Sequence, residues 1–276
     1  MQPNPASAPV WPILARGDVS HPAVMFLHGF MGRGSEWEET AALMAGEYYC
    51  LLPDLPGHGS HTARPFEPPL TFEIIAAEIA AQLDLLGYPQ IDMVGYSMGG
   101  RIALYFAARY PERVNKLVIE SGSPGITEQD ARQARRRADA RRAGEIVQRG
   151  MPAFVEDWYQ LPLWASLEQR PEKLQAKKDD CAQNDPVWMA KVIEELSPGT
   201  QPAVWDALPN MHIPTLLAAG ALDPKYPQLL QKAVTLLPQG KMLLFEDAGH
   251  NIHYEQPESF ARQVINFLSS PDQTTD

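Results

Sequence analysis

Residues 91–101 read Ile91-Asp92-Met93-Val94-Gly95-Tyr96-Ser97-Met98-Gly99-Gly100-Arg101. The run from Ile91 to Gly95 has the length of a buried strand, and a helix is predicted to start near Gly100. Between them lies Gly95-x-Ser97-x-Gly99. A serine on a sharp turn between a strand and a helix is the setting of a nucleophile elbow. The glycines have a steric task there, because backbone passes against backbone and a Cβ would clash.

Other apolar runs of strand length flank this one. They span Ala23–Leu27, Tyr48–Leu52, Val114–Ile119, Pro214–Ala219 and Lys241–Phe245, with a further candidate at 10–15. Unbroken apolar character predicts strands covered on both faces, as in a parallel sheet. Between them, Phe72–Leu86 places Ile75, Ile79, Leu83 and Leu86 on one helical face. Arg101–Arg109 is a short helix stopped with the help of Pro111, and Pro257–Leu268 is the closing helix. This alternation predicts an α/β fold with a mostly parallel, doubly wound sheet and right-handed crossovers. The alternation breaks over 124–212, where helical patterns occur without a convincing strand. That segment is expected to be a helical cap inserted into a core built from 1–123 and 213–276. The final PDQTTD is expected to fray.

A serine hydroxyl needs a neighbouring base before it reacts. His250 follows the run KMLLFED in Ala248-Gly249-His250, and Asp223 follows PTLLAAG. The order Ser97, Asp223, His250 is that of an α/β-hydrolase triad. Both partners lie past the carboxyl ends of strands, where such sheets carry their sites. His253 is expected to be a partly exposed capping residue, and Asp247 to be structural. Asp54, in the turn-dense PDLPGHGS at 53–60, is expected to hold that loop, and His28 to shape its own. His212 precedes a strand, at the wrong end of the sheet, and His21 and His61 carry no signal. Charge developing beside Ser97 needs donors, and the backbone N–H groups of Met98 and Phe30 are the candidates.

The 276 residues hold 23 Lys+Arg against 34 Asp+Glu, a net charge of −11. That balance argues against general nucleic-acid binding. Yet 132–149, RQARRRADARRAGEIVQR, carries seven arginines against Asp139 and Glu145. Arg132, Arg135, Arg136 and Asp139 share a helical face that Arg142 continues, and Arg137 and Arg141 are expected to be solvated. Arg101 adds a cation four residues after Ser97. Guanidinium groups bind carboxylates in pairs of hydrogen bonds, so the substrate is expected to be a small polycarboxylate. Trp158 and Tyr159 are expected to supply a flat wall. Cys50 and Cys181 are too few for a disulfide framework or a Cys-rich zinc site and are expected to be reduced thiols. The N-terminus lacks the marks of a secretory signal, and no run approaches the ~20 apolar residues of a membrane span. The expectation is a soluble cytoplasmic protein; the sequence carries no signal for an oligomeric state.

Several stretches together resemble one enzyme family. They are Leu27-His28-Gly29-Phe30, Asp54-Leu55-Pro56-Gly57-His58-Gly59, Gly95-Tyr96-Ser97-Met98-Gly99-Gly100-Arg101, the arginine-rich stretch after Ser123-Pro124-Gly125, Asp157-Trp158-Tyr159-Gln160 and Gly249-His250-Asn251. The family is 2-succinyl-6-hydroxy-2,4-cyclohexadiene-1-carboxylate synthase of menaquinone and phylloquinone biosynthesis, on the α/β-hydrolase fold. The resemblance implies removal of a ring proton and elimination of pyruvate, with Ser97 as the base, activated by His250 and supported by Asp223. It implies substrate contacts at Tyr96, Arg101, Arg132, Arg135 and Trp158, and no metal or cofactor. Two other readings remain at this point. One is a carboxylesterase or carbon–carbon bond hydrolase with Ser97 as nucleophile. The other is a ligand receptor on a hydrolase core, since fold does not fix function.

Overall fold

The computed structural model describes residues 10–271. All of the expected frayed tail but Pro271 lies outside the described residues. Among the described residues seven strands form one sheet: β1 (Ile13–Arg16), β2 (Ala23–Leu27), β3 (Tyr49–Pro53), β4 (Ile91–Tyr96), β5 (Val114–Glu120), β6 (Thr215–Gly220) and β7 (Gly240–Phe245). Their spatial order is β1-β3-β2-β4-β5-β6-β7. β1 runs antiparallel to β3, and the other pairings are parallel.

Successive side chains of a strand point to opposite faces. In β2, Val24 and Phe26 enter one core with Trp37, Met44 and Phe260; Met25 and Leu27 enter the other with Ile75, Ile79 and Phe106. The helices supplying these residues cover both faces. α1 (Glu38–Met44) and α10 (Pro257–Leu268) cover the first; α2 (Phe72–Leu86), α3 (Met98–Arg109) and α8 (Tyr226–Val234) cover the second. α2 has the length its apolar periodicity predicts. The Thr71 hydroxyl accepts from the Ile74 N–H at its start, and Gly87 at φ 79° ends it.

Two expectations change. α3 begins at Met98 rather than Arg101, because the helix starts directly after the Ser97 turn. β7 is an edge strand, so its apolar run is not covered throughout: Leu244 is 46% exposed. Between β5 and β6 lie only helices: α4 (Gln129–Trp158), α5 (Ala165–Glu168), α6 (Pro171–Cys181), α7 (Pro186–Glu195) and short 3₁₀ turns. α4 breaks at Gly150 (φ 76°, ψ 167°), two residues before Pro152. α4 packs on α7. α9 (Ile252–Glu255) completes the set. Among the described residues no helix is long and apolar enough to cross a membrane. Cys50 and Cys181 are free and buried.

Candidate active site

Ser97 sits between β4 and α3 at φ 50°, ψ −104°, a conformation costly for a residue with a Cβ. The surrounding bonds hold it there. Its N–H donates to the Glu120 carbonyl (2.8 Å), and its own carbonyl accepts from the Arg101 N–H (3.0 Å). A Cβ on Gly95 would come within 2.8 Å of the Gly100 Cα, and one on Gly99 would strike the carbonyl oxygens of Leu27 and His28. The glycine pattern is therefore a packing requirement of this turn.

Asp223 follows β6, and His250 lies in the loop after β7. His250 Nδ1 is 2.7 Å from Asp223 Oδ2, and His250 Nε2 is 3.0 Å from Ser97 Oγ. With the Nδ1 N–H donating to the Asp223 carboxylate, Nε2 is the acceptor for the serine hydroxyl. Asp223 Oδ1 accepts the N–H groups of Lys225 (2.8 Å) and Tyr226 (2.9 Å). Burial pushes the Asp223 carboxyl up, but these bonds and the imidazole outweigh it and hold the group below the usual carboxylate range.

Met98 is the first residue of α3, where an N–H has no intrahelical partner. Phe30 lies in the loop after β2, and both residues line the cavity over Ser97. Histidines brace that loop. The Leu55 N–H donates to His28 Nε2 (2.9 Å) and the Met31 N–H to His58 Nε2 (3.3 Å). His61 Nδ1 pairs with the Asp54 carbonyl (3.0 Å). The Asp54 carboxylate accepts from the Gly34 N–H and from the N–H and hydroxyl of Ser60.

The cavity has a volume of about 200 Å³. Ser97 and His250 line it together with Tyr96, Trp158 and three cations, Arg101, Arg135 and Lys225. Among the described residues its one lining carboxylate is Asp139, which is fully buried. Asp139 accepts from Arg135 Nε (2.7 Å), Arg142 (2.8 Å) and the Ser197 hydroxyl (2.6 Å). It thereby fixes Arg135 at the cavity, while the Arg142 guanidinium lies 5.6 Å from the Trp158 ring. Arg101 is 7% exposed and donates to the Leu196 carbonyl (2.9 Å). Burial, with Arg135 nearby, lowers its pKa to about 10. Burial and the same two arginines lower Lys225. The three cations thus crowd one another, and an anion between them would relieve the repulsion.

The structure places other residues elsewhere. Arg132 donates to the carbonyls of Gly199 and Gln201 (both 3.3 Å), and Arg136 to that of Gly199 (2.7 Å). These two arginines fasten α4 to the 197–201 turn, and Arg132 is absent from the cavity lining. Arg137 and Arg141 are exposed. The Tyr159 hydroxyl turns to Cys181 Sγ (3.4 Å), leaving Trp158 to form the wall. His253 is not a partly exposed cap: it is 2% exposed and pairs with Glu120 (2.7 Å), because Glu120 extends from β5 into its side of the core. Sequence reading missed Lys225, Trp164 and Tyr226 as lining residues and did not see Asp139 as the anchor of Arg135. Lys225 had one usable signal, its place two residues after Asp223 on the same loop.

Residues 22–257 match the α/β hydrolase fold family. The 2-succinyl-6-hydroxy-2,4-cyclohexadiene-1-carboxylate synthase of Serratia proteamaculans is 33% identical over 265 residues, covering 94% of this chain and 98% of that protein. Protein PHYLLO, chloroplastic, from Arabidopsis thaliana is 32% identical over 259 residues, 89% of this chain, and the match spans 15% of the plant protein's length. The solved structure of MenH from S. aureus is 32% identical with a TM-score of 0.88, covering 94% of this chain and 97% of that one. The chain belongs to the α/β hydrolase fold family and, within it, to the 2-succinyl-6-hydroxy-2,4-cyclohexadiene-1-carboxylate synthases.

Proposed function

We propose that this protein converts 2-succinyl-5-enolpyruvyl-6-hydroxy-3-cyclohexene-1-carboxylate to 2-succinyl-6-hydroxy-2,4-cyclohexadiene-1-carboxylate and pyruvate, as a cytoplasmic enzyme of quinone biosynthesis. The substrate carries three carboxylates, on the ring, the succinyl arm and the enolpyruvyl group. The observation that carries the reading is the charge of the cavity. Arg101, Arg135 and Lys225 line the cavity with the Ser97–His250 pair, and the carboxylate that lines it among the described residues, Asp139, is already bonded to Arg135 and Arg142. An apolar ester has no use for such a site.

In the proposed reaction His250 takes the Ser97 proton as the serine oxygen removes a ring C–H proton. The freed electron pair forms a double bond to the neighbouring ring carbon, the existing ring double bond shifts one position along, and its displaced pair breaks the C–O bond to the enolpyruvyl group. The departing enolate takes the proton from His250 and becomes pyruvate, and Ser97 is a neutral hydroxyl again. Asp223 holds the Nδ1 proton and stabilises the imidazolium that forms between these steps. The Phe30 and Met98 N–H groups stabilise the negative charge that develops as the proton leaves. Tyr96 and Trp158 shape the cavity around the ring.

The test is pyruvate release from the enzymatically prepared cyclohexene substrate, run beside a p-nitrophenyl ester. Fast, Ser97-dependent pyruvate release with weak ester cleavage is the expected result. Pyruvate at only the spontaneous rate, with strong ester cleavage, would assign the site to a serine hydrolase acting on another anion.

A further inference from the structure

Behind the cavity lies a second buried charge cluster, outside the Ser97–His250–Asp223 set. Glu120 is the last residue of β5 and fully buried. Its backbone carbonyl accepts the Ser97 N–H at 2.8 Å, one of the bonds that hold the strained elbow. Its carboxylate reaches the other way. Oε1 accepts the backbone N–H of His253 (3.1 Å), and Oε2 pairs with that residue's Nδ1 (2.7 Å). His253 lies in α9, three residues beyond His250. One residue therefore ties the serine turn to the segment that carries its histidine.

The surroundings make this tie stiff. The His253 ring stacks on Trp37 with centroids 3.7 Å apart and meets the Tyr96 ring edge-on at 4.9 Å. His253 Nε2 faces Glu36 Oε1 at 3.6 Å. Glu36 also accepts from Asn251 Nδ2 (3.1 Å), next in sequence to His250, and from Lys177 of α6. Two carboxylates thus meet Lys177 and the His253 ring with almost no solvent. Burial disfavours a charged His253 ring, but Glu120 and Glu36 outweigh it and raise the pKa. The free energy of such an arrangement is poorly spent on stability alone, since apolar packing of similar volume is often as stable. It does fix geometry, and a displacement of about 1 Å between reacting groups can cost about 100-fold in rate.

We infer that Glu120, clamped to His253, is a positioning residue that sets the distance between Ser97 and His250. The inference rests on the reading of Ser97 and His250 as the reacting groups. Its test is Glu120→Gln, which leaves one acceptor oxygen for the two N–H groups of His253. Two measurements are made: kcat and KM for pyruvate release, and the rate at which a fluorophosphonate labels Ser97. The expected result is a kcat lowered about tenfold or more with KM within about threefold, and labelling slowed in parallel. A folded variant with kcat and labelling within about twofold of the parent would overturn the clamp. If the parent itself releases no pyruvate, the proposed reaction fails, and the labelling rates alone still decide the clamp. Should Glu120→Gln not fold, the double variant Glu120→Gln, His253→Gln removes both charges together and leaves no buried ion unpaired. It is read against the same two criteria.

Discussion

Ser97 Oγ lies 3.0 Å from His250 Nε2, so the serine has a base in reach whether it acts as base or nucleophile. Ser97→Ala removes that oxygen without filling or emptying much space. The variant should keep its circular dichroism and thermal midpoint and lose about 10³-fold or more in kcat. Retained turnover would take Ser97 out of the reaction. The arginines separate by what they touch. Arg135 is held at the cavity by Asp139, while Arg132 is spent on two backbone carbonyls. Arg135→Ala should lower kcat/KM by an amount worth about 1.5–3 kcal/mol, the worth of a charged hydrogen bond, and should also cost stability, since the buried Asp139 then keeps only Arg142 and Ser197. Arg132→Ala should cost about 0.5–1.5 kcal/mol of stability in urea unfolding and leave KM within about twofold. Equal effects of the two on KM would contradict this division. At this scale the sequence made Ser97, Asp223 and His250 legible, because motif and strand ends point at them. It could not separate Arg132 from Arg135: both share a helical face, and only the 197–201 turn on a distant segment decides which one is consumed.

Elements were legible where apolar periodicity is set by the core. α2 and α10 take their expected bounds, and β2 its own, because each buries a full face. β7 misled, since an edge strand with apolar residues reads like a central one. α8, opening at Tyr226 with Lys225 before it, went unread because its first turn belongs to the site as much as to the core. The elbow gives the element-scale prediction. The Gly99 Cα packs against the end of β2, where a Cβ would meet the Leu27 and His28 carbonyl oxygens. Those are backbone atoms and cannot swing aside. Gly99→Ala should therefore force α3 away from β2, costing about 1–3 kcal/mol. It should also move the Phe30 loop, so activity should fall even where the variant remains fully folded. An unchanged urea midpoint with unchanged kcat would mean that the α3–β2 contact gives way more easily than its backbone packing implies.

The pH dependence of stability belongs to the whole molecule, because its buried histidines pull in opposite directions. Burial lowers the pKa of His28 and His61, and burial together with the His28 charge lowers that of His58 well below its ordinary value. Between a lowered folded pKa and the unfolded value near 6.5, the unfolded chain binds more protons. Stability then rises with pH, so it is complete above about pH 6.5 and is lost as pH falls through the folded value. His253 has the opposite sign. Its raised pKa makes its contribution complete below about pH 6.5, and that contribution fades as pH climbs through the folded value. Three lowered groups against one raised group predict a steeper acid limb, with the loop that carries Phe30 as its seat. His58→Gln isolates the effect, since its amide oxygen can still accept the Met31 N–H and cannot titrate. In thermal melts from pH 7 to pH 5, the midpoint of the parent should fall, and that of His58→Gln should fall less. Each unit of pKa difference is worth about 1.4 kcal/mol, and each kcal/mol moves the midpoint of a chain this size by about 2–4 °C. The two curves should therefore diverge as pH falls below about 6.5, with the parent the lower. Parallel curves would mean that His58 keeps the same proton count folded and unfolded, and the acid limb would then belong to His28 and His61, whose folded pKa values are also lowered.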